Sequence, residues 1–233
     1  MIFILTATVN VFFDVHPSFS NSVIRRSEYI ENLKFLSSNL IASSFIDSEI
    51  YFIENSSDLV ENFDLYPDLP NVKYITFDQD VNSMKGKGYC EIQMIDHILK
   101  TVQSCSFFIK VTGRYSISNW QELLISLQSV RSPHCLLGTE EINYISNQFS
   151  SRFFLCSIPF WKSVFMQTML SKVNDNHGYF IEHALFDLSL FCKPLIFNVL
   201  PSKNASSATT SSSLRISPFL RYIKKFVYFL VRS

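Results

Sequence analysis

Short apolar runs alternating with stretches of helical period restrict this chain's fold more than any other feature. Ile2–Ala7, Ile50–Ile53, Val72–Phe77 and Phe107–Val111 have strand length and are rich in β-branched and aromatic residues. Between the first two, Ile30, Leu33, Leu36 and Leu40 recur at helical spacing within 24–42. Between the last two, Ile92, Ile95, Leu99 and Val102 define an amphipathic helix from Gly88 to Val102. This succession predicts an α/β fold with a mostly parallel sheet flanked by helices. Ligands of such sheets bind at the carboxyl ends of the strands. Thr6, Thr8 and Asn10, at the polar end of the first run, therefore face a site.

The second half is less regular. Leu136–Leu137 and Phe153–Cys156 have the character of short strands, and Pro159 opens a helix through Leu170. Asn174-Asp175-Asn176-His177-Gly178 is a turn, followed by a helix from Tyr179 to Phe191 and a last strand over Pro194–Leu200. Residues 202–213 form a Ser/Thr/Ala-rich linker. Beyond it, Phe219, Ile223, Phe226, Val227 and Leu230 line one helical face, with Arg221, Lys224, Lys225 and Arg232 over much of the rest. Three segments are thus expected: a domain over 1–201, the linker over 202–213, and a basic amphipathic helix over 214–233.

Composition narrows the chemistry. The chain has 5 glycines, and neither GxGxxG nor GxxxxGK[ST] occurs, which excludes the classical Gly-rich nucleotide loops. The formal charge is zero, yet residues 203–233 carry six basic residues and no acid. The remainder is an acidic body, unsuited to neutralising nucleic-acid phosphates over a broad face. The basic, aromatic tail suits the plane of an anionic membrane surface; a terminal helix packed on the domain, with its basic face in water, is the alternative. The 5 cysteines show no CxxC or Cys/His metal spacing, so neither a zinc site nor a disulfide framework is expected. The Met1 segment lacks a basic n-region, and no apolar run is long enough to span a bilayer. The expectation is a cytoplasmic protein, peripheral on a membrane.

Three segments carry candidate chemistry. Lys85-Gly86-Lys87-Gly88-Tyr89-Cys90-Glu91 lies at a loop-to-helix junction, where free N–H groups, the helix dipole and two lysines suit an anion such as a diphosphate. A lysine-decorated turn is the alternative. Lys110-Val111-Thr112-Gly113-Arg114-Tyr115, with Asn119 after it, ends a strand; Lys110, Arg114 and Asn119 suit a polyanionic or polyhydroxylated ligand, and Gly113 permits close backbone approach. An arginine paired to a surface acid is the alternative there. Gly178-Tyr179-Phe180-Ile181-Glu182-His183 enters a helix, where a carboxylate or imidazole can take a proton from an attacking hydroxyl; a helix-start acid answering the dipole, beside a surface or core histidine, is the more ordinary alternative.

In this order, the KGKGYxE, KVTGRY and late Ile181-Glu182-His183 segments resemble bacterial surface-polysaccharide glycosyltransferases, the small lipopolysaccharide and capsule enzymes with a GT-A-like fold. The resemblance spans about residues 1–200 and rests on short motifs. It implies a nucleotide-sugar donor and a lipid-linked saccharide acceptor, at the inner face of a bacterial inner membrane. It implies donor binding by Thr6, Thr8, Asn10, Glu54, Asn55, Lys85, Lys87, Gly88, Lys110, Thr112, Gly113, Arg114, Tyr115 and Asn119. It raises Glu182 as catalytic base, with Glu91 and His183 behind it. One departure stands out. GT-A enzymes commonly carry Asp-x-Asp after the fourth strand, where this chain has Thr112-Gly113-Arg114. Asp78-Gln79-Asp80 is a literal match but follows the third strand. Transfer without a metal is expected, with Lys and Arg neutralising the leaving diphosphate; Mg²⁺ or Mn²⁺ is the alternative. Two other classes stay open: a catalytically silent saccharide-binding or assembly subunit, and, behind it, a nucleotidyltransferase.

Overall fold

A computed structural model describes residues 1–9, 21–78, 85–102, 105–130 and 137–200. Asn10, Asp80, Cys135, the linker over 202–213 and the basic segment over 214–233 lie outside the described residues.

The strand β1 (Ile2–Ala7) leads into α1 (Ser22–Ile41), and β2 (Glu49–Glu54) into the short α2 (Asp58–Glu61) and a 3-10 turn at Phe63–Leu65. β3 (Val72–Thr76), α3 (Lys87–Thr101) and β4 (Phe107–Thr112) follow, then α4 (Trp120–Gln128). The second half contains β5 (Leu137–Thr139), a small hairpin of β6 (Ile142–Asn143) and β7 (Gln148–Phe149), and β8 (Phe153–Ser157). It closes with α5 (Ile158–Phe160), a π-helical turn at Trp161–Phe165, α6 (Met166–Thr168), α7 (Ile181–Ser189) and β9 (Leu195–Ile196). The 7-stranded sheet has the order β3-β2-β1-β4-β8-β5-β9. β8 runs antiparallel to both its neighbours, β4 and β5, and the other pairs are parallel.

The side-chain period of two divides each strand between two cores. Phe3, Leu5, Ile50, Phe52, Ile109 and Val111 face α1 and α4. Ile2, Ile4, Tyr51, Ile53 and Phe108 face α3 and α7, joined there by Trp161 and Phe165. Trp161 stacks on Phe165 with ring centroids 4.1 Å apart, so the π turn delivers two aromatic faces to one core.

The first four strands and both intervening helices stand where the spacing predicts. Three expectations need correction. The last strand is Leu195–Ile196 alone, not Pro194–Leu200, because among the described residues it pairs only with the three-residue β5. The helix expected from Pro159 starts one residue earlier, capped by Ser157, and is interrupted by the π turn. The helix expected from Tyr179 starts at Ile181, since Tyr179 bridges Asn174. α4 also lies in a stretch with no helix expected; its buried Trp120, Leu123, Leu124 and Leu127 do follow a helical period.

Candidate functional site

The same period of two decides which sequence candidates can meet. In β1, Thr6 shares a face with Ile2 and Ile4; in β4, Lys110 and Thr112 share that face with Phe108. The register pairs Ile4 with Lys110 and Thr6 with Thr112, so the three polar side chains stand together over the α3 side of the sheet. Glu91, one turn into α3, descends onto them.

Lys110 has no exposure to solvent. Its Nζ lies 2.7 Å from Glu91 Oε1, donates to Thr112 Oγ1 at 2.8 Å and donates to the Ser151 carbonyl at 2.6 Å. Thr6 Oγ1 donates to the same Glu91 oxygen at 2.7 Å. Burial pulls the Lys110 ammonium below its ordinary range, against the attraction of Glu91. Burial also opposes charge on Glu91, but Lys110 and Lys87, with the hydrogen bonds from Lys110 and Thr6, outweigh it and hold the carboxyl below its usual range. A buried pair persists only when nearly every donor and acceptor is satisfied, and this one draws partners from β1, β4, α3 and the segment before β8.

Glu182, on the first turn of α7, joins the cluster from its half-buried edge. Its Oε1 accepts the Ser151 hydroxyl, and its charge acts on Lys110. Five sequence candidates, Thr6, Glu91, Lys110, Thr112 and Glu182, therefore converge at the carboxyl ends of β1 and β4. His183 does not join them: its Nδ1 accepts the Phe180 N–H at 3.1 Å and its ring lies on Phe180, so it caps α7.

The amino end of α3, expected to hold an anion, does hold one. It is the protein's own Asp175. Oδ2 accepts the Gly88 N–H at 2.8 Å, and the Asp175 N–H donates to the Lys85 carbonyl at 2.7 Å. This explains both glycines of the motif. A Cβ on Gly86, which has φ +93°, would lie 2.5 Å from the Asp175 Cβ, and one on Gly88 would lie 2.9 Å from Oδ1. Burial raises the Asp175 carboxyl, more than the bonds from Gly88 and Lys87 lower it. Lys85 sits over the Tyr89 ring, 4.7 Å from its centroid, and Lys87 is exposed beside the cluster. The lysines and the buried Lys110–Glu91 pair thus share one end of α3.

The remaining candidates lie across the sheet or beyond it. Glu54 follows Ile50 and Phe52 onto the α1 face, where its Oε1 accepts from Val9 N at 3.2 Å and Ser56 N at 2.8 Å. It organises the loops after β1 and β2. Thr8 donates to Asn55 Oδ1 at 2.7 Å, and its carbonyl accepts from Arg25 Nε at 3.0 Å. Gly113 is required by a neighbour: a Cβ there would lie 2.6 Å from Tyr29 Cδ1 and 2.9 Å from the Thr6 carbonyl. Arg114 forms an ion pair with Glu28 of α1, and Tyr115 donates to Glu140 under the Arg152 guanidinium. Asn119 binds the chain before residue 201, donating to the Asn198 carbonyl at 2.7 Å and accepting the Leu200 N–H at 2.8 Å. Sequence reasoning missed Asp175, Ser151, Arg25 and Glu28. Only Asp175 carried a local signal, as part of a turn.

No group of three or more His, Cys, Asp and Glu placed to hold a metal ion occurs among the described residues. Glu91 and Glu182 are engaged with Lys110, Thr6 and Ser151. The described donor set does not fit a resident cation.

No protein-family model matches the sequence, and no curated protein matches it. Solved structures do share its architecture. A mannosyltransferase from Pyrobaculum calidifontis, in complex with GDP-Man and Mn²⁺, is similar over 84% of this chain and 54% of its own, with TM-score 0.50 and 8% identity. The glycosyltransferase GlyE of Streptococcus pneumoniae TIGR4 is similar over 84% of this chain and 44% of its own, with TM-score 0.48 and 12% identity. A glycosyltransferase involved in glycosylation of the major capsid of PBCV-1 is similar over 84% of this chain and 81% of its own, with TM-score 0.48 and 10% identity. The chain spans about half the length of the first two. The likeness to the mannosyltransferase, at TM-score 0.50 and 8% identity, concerns the fold alone, an α/β architecture of the GT-A-like kind.

Proposed function

We propose that the protein is a glycosyltransferase moving a sugar from a nucleotide-sugar donor to a saccharide acceptor, in bacterial surface polysaccharide synthesis and without a metal. The observation that carries this reading is the convergence of Thr6, Glu91, Lys110, Thr112 and Glu182 at the carboxyl ends of β1 and β4. The nucleotide is held at the ends of β1 and β2, where Glu54 and Arg25 shape the loops and Thr8 and Asn55 line them. Lys85 and Lys87, at the amino end of α3, meet the diphosphate. Lys110 is buried and acts indirectly, keeping Glu91 ionised and fixing the Thr112 hydroxyl.

If the reaction inverts, Glu182 takes the proton of the acceptor hydroxyl as its oxygen bonds to the donor's anomeric carbon, while the bond from that carbon to the diphosphate oxygen breaks and the nucleotide leaves with the electron pair. Ser151 aims it. The acceptor is lipid-linked, and segment 214–233 rests on the anionic inner face of the membrane. No helix among the described residues is long and apolar enough to cross a bilayer.

A thermal-shift panel of UDP-, dTDP-, GDP- and CMP-sugars, each with and without Mg²⁺ or Mn²⁺, tests the reading. One nucleotide class should stabilise the protein in the absence of metal. Transfer abolished by EDTA and restored by either ion would sink metal independence, and no stabilising nucleotide at all would sink the transferase reading. Truncation before residue 203 should abolish sedimentation with phosphatidylglycerol vesicles; undiminished sedimentation would remove the membrane role.

A further inference from the structure

Between Lys34 and Lys73 the chain contains Asp47, Glu49, Glu54, Asp58, Glu61, Asp64 and Asp68, and no lysine or arginine. The fold spends three of these internally. Glu54 is buried, Asp58 pairs with Arg26, and Glu49 pairs with Lys73. Asp47, Glu61, Asp64 and Asp68 remain exposed and form no ion pair among the described residues, the last three within eight positions of one another. Asp68 lines a notch of about 400 Å³ at the edge of the sheet together with Phe63, Tyr66, Pro67, Val72 and Tyr74, and Glu61 and Asp64 lie on α2 and the Phe63–Leu65 turn that lead to it. Phe63 meets Tyr74 edge-on at 5.9 Å, while the two tyrosine hydroxyls are committed elsewhere, to Asp58 and to the Pro67 carbonyl. Beside the notch, Val60, Phe63 and Leu65 are 69%, 57% and 57% exposed. An aromatic wall with Asp68 in its lining, on a stretch whose other exposed charges, Glu61 and Asp64, are also acidic, suits a ligand that is both apolar and cationic.

We propose that this face, built by α2, the Phe63–Leu65 turn and β3, seats the basic segment 203–233 of the same chain. That segment is complementary in charge and in surface: it has six bases, no acid, and Phe219, Ile223, Phe226, Val227 and Leu230 at helical spacing. The path is short enough. Leu200 is fastened beside Asn119 at the start of α4, α4 packs on α1, and Arg26 of α1 pairs with Asp58 of α2. Two helix spacings, as from α4 across α1, amount to roughly 20 Å. The Ser/Thr/Ala-rich composition of 201–213 is that of a linker, and a random-coil linker of this length spans about 20 Å root-mean-square. Anionic lipid competes for the same basic side chains, so the seat and the membrane are alternative positions of one segment.

Zero-length carbodiimide coupling of the full-length protein at low salt, without lipid, tests this. Amide crosslinks should join Lys203, Lys224 or Lys225 to Glu61, Asp64 or Asp68 within one chain, as read by mixing ¹⁵N-labelled and unlabelled protein. Salt at about 0.5 M or added phosphatidylglycerol vesicles should reduce their yield at least about fivefold. The surface triple variant E61K/D64K/D68K should lose them, and adding K224E/K225E should restore crosslinks of reversed polarity. Crosslinks spread over Glu122 and Asp187 at equal yield, crosslinks only between differently labelled chains, or indifference to charge reversal would each overturn the proposal. The assay contains no donor, acceptor or vesicle at the outset, so its failure is distinct from failure of the transferase or membrane reading.

Discussion

Lys110 of β4 and Glu91 of α3 form an ion pair at 2.7 Å in which the lysine side chain is wholly removed from water. Removing one partner strands the other charge. Lys110→Met should cost about 3–5 kcal/mol, and Lys110→Met combined with Glu91→Leu should recover much of that loss. Urea denaturation of the two single variants and the double variant measures the coupling. Strictly additive losses would show that the pair is not the energetic unit described here.

Glu182 differs from Glu91 in lying half-buried at the open side of the cluster. Glu182→Gln should reduce turnover by about 10²–10⁴-fold while leaving donor affinity unchanged. Ser151→Ala should lower kcat by a smaller factor with little change in donor KM, because Ser151 orients the carboxylate without touching donor. Wild-type turnover in Glu182→Gln would take that residue out of the mechanism.

Asp175 is a helix cap whose ionised form is disfavoured by burial. A carboxyl raised above its unfolded value takes up its proton in the folded state first. Stability linked to this group therefore increases as pH falls through the raised pKa and declines again toward neutrality. Asp175→Asn keeps an acceptor for the Gly88 N–H and should be at least as stable as wild type at pH 7, with the advantage shrinking on acidification. Asp175→Ala leaves that N–H without its acceptor and should cost about 1 kcal/mol. Denaturation midpoints of the three proteins from pH 7 downward decide the matter. A constant gap between wild type and Asp175→Asn would contradict the linkage.

Gly113→Ala places a methyl group 2.6 Å from Tyr29 and 2.9 Å from a β1 carbonyl. Overpacking at such a junction should cost about 1–3 kcal/mol. Tyr29→Ala in the same background should relieve part of the clash, since one of the two contacts is with the ring. Thermal melts of the single and double variants give the answer; an unperturbed Gly113→Ala protein would mean that β4 has room to shift.

Much of the fold is legible along the chain because its elements are amphipathic in isolation. Ile92, Ile95 and Leu99 announce α3, and the run Phe107–Val111 announces β4, without knowledge of any neighbour. α4 was harder, since its Trp120, Leu123, Leu124 and Leu127 follow a turn-like Ser-Ile-Ser-Asn stretch. The two-residue β9 was harder still: little but pairing with the short β5 distinguishes it from a loop.

The site divides in the same way. Residue type and strand-end position mark Thr6, Lys110 and Thr112, and periodicity tells which of them share a face; Glu182, at a helix start, is singled out only by the family resemblance. What no local pattern contains is the partner of each charge. The Thr6–Glu91 hydrogen bond joins residues 85 apart, and the Gly88–Asp175 bond joins residues 87 apart.

The amino-acid order alone determined the alternation of strands and helices, the faces of those strands and the acidic body with its basic tail. These follow from local sterics and from the period of each element. Only the tertiary structure decided that Lys110 neutralises Glu91 deep in the molecule, that Asp175 fills the anion position at α3, and that Gly113 yields to Tyr29. Those outcomes depend on crossover connections and sheet register, which bring distant parts of the chain within ångströms of each other.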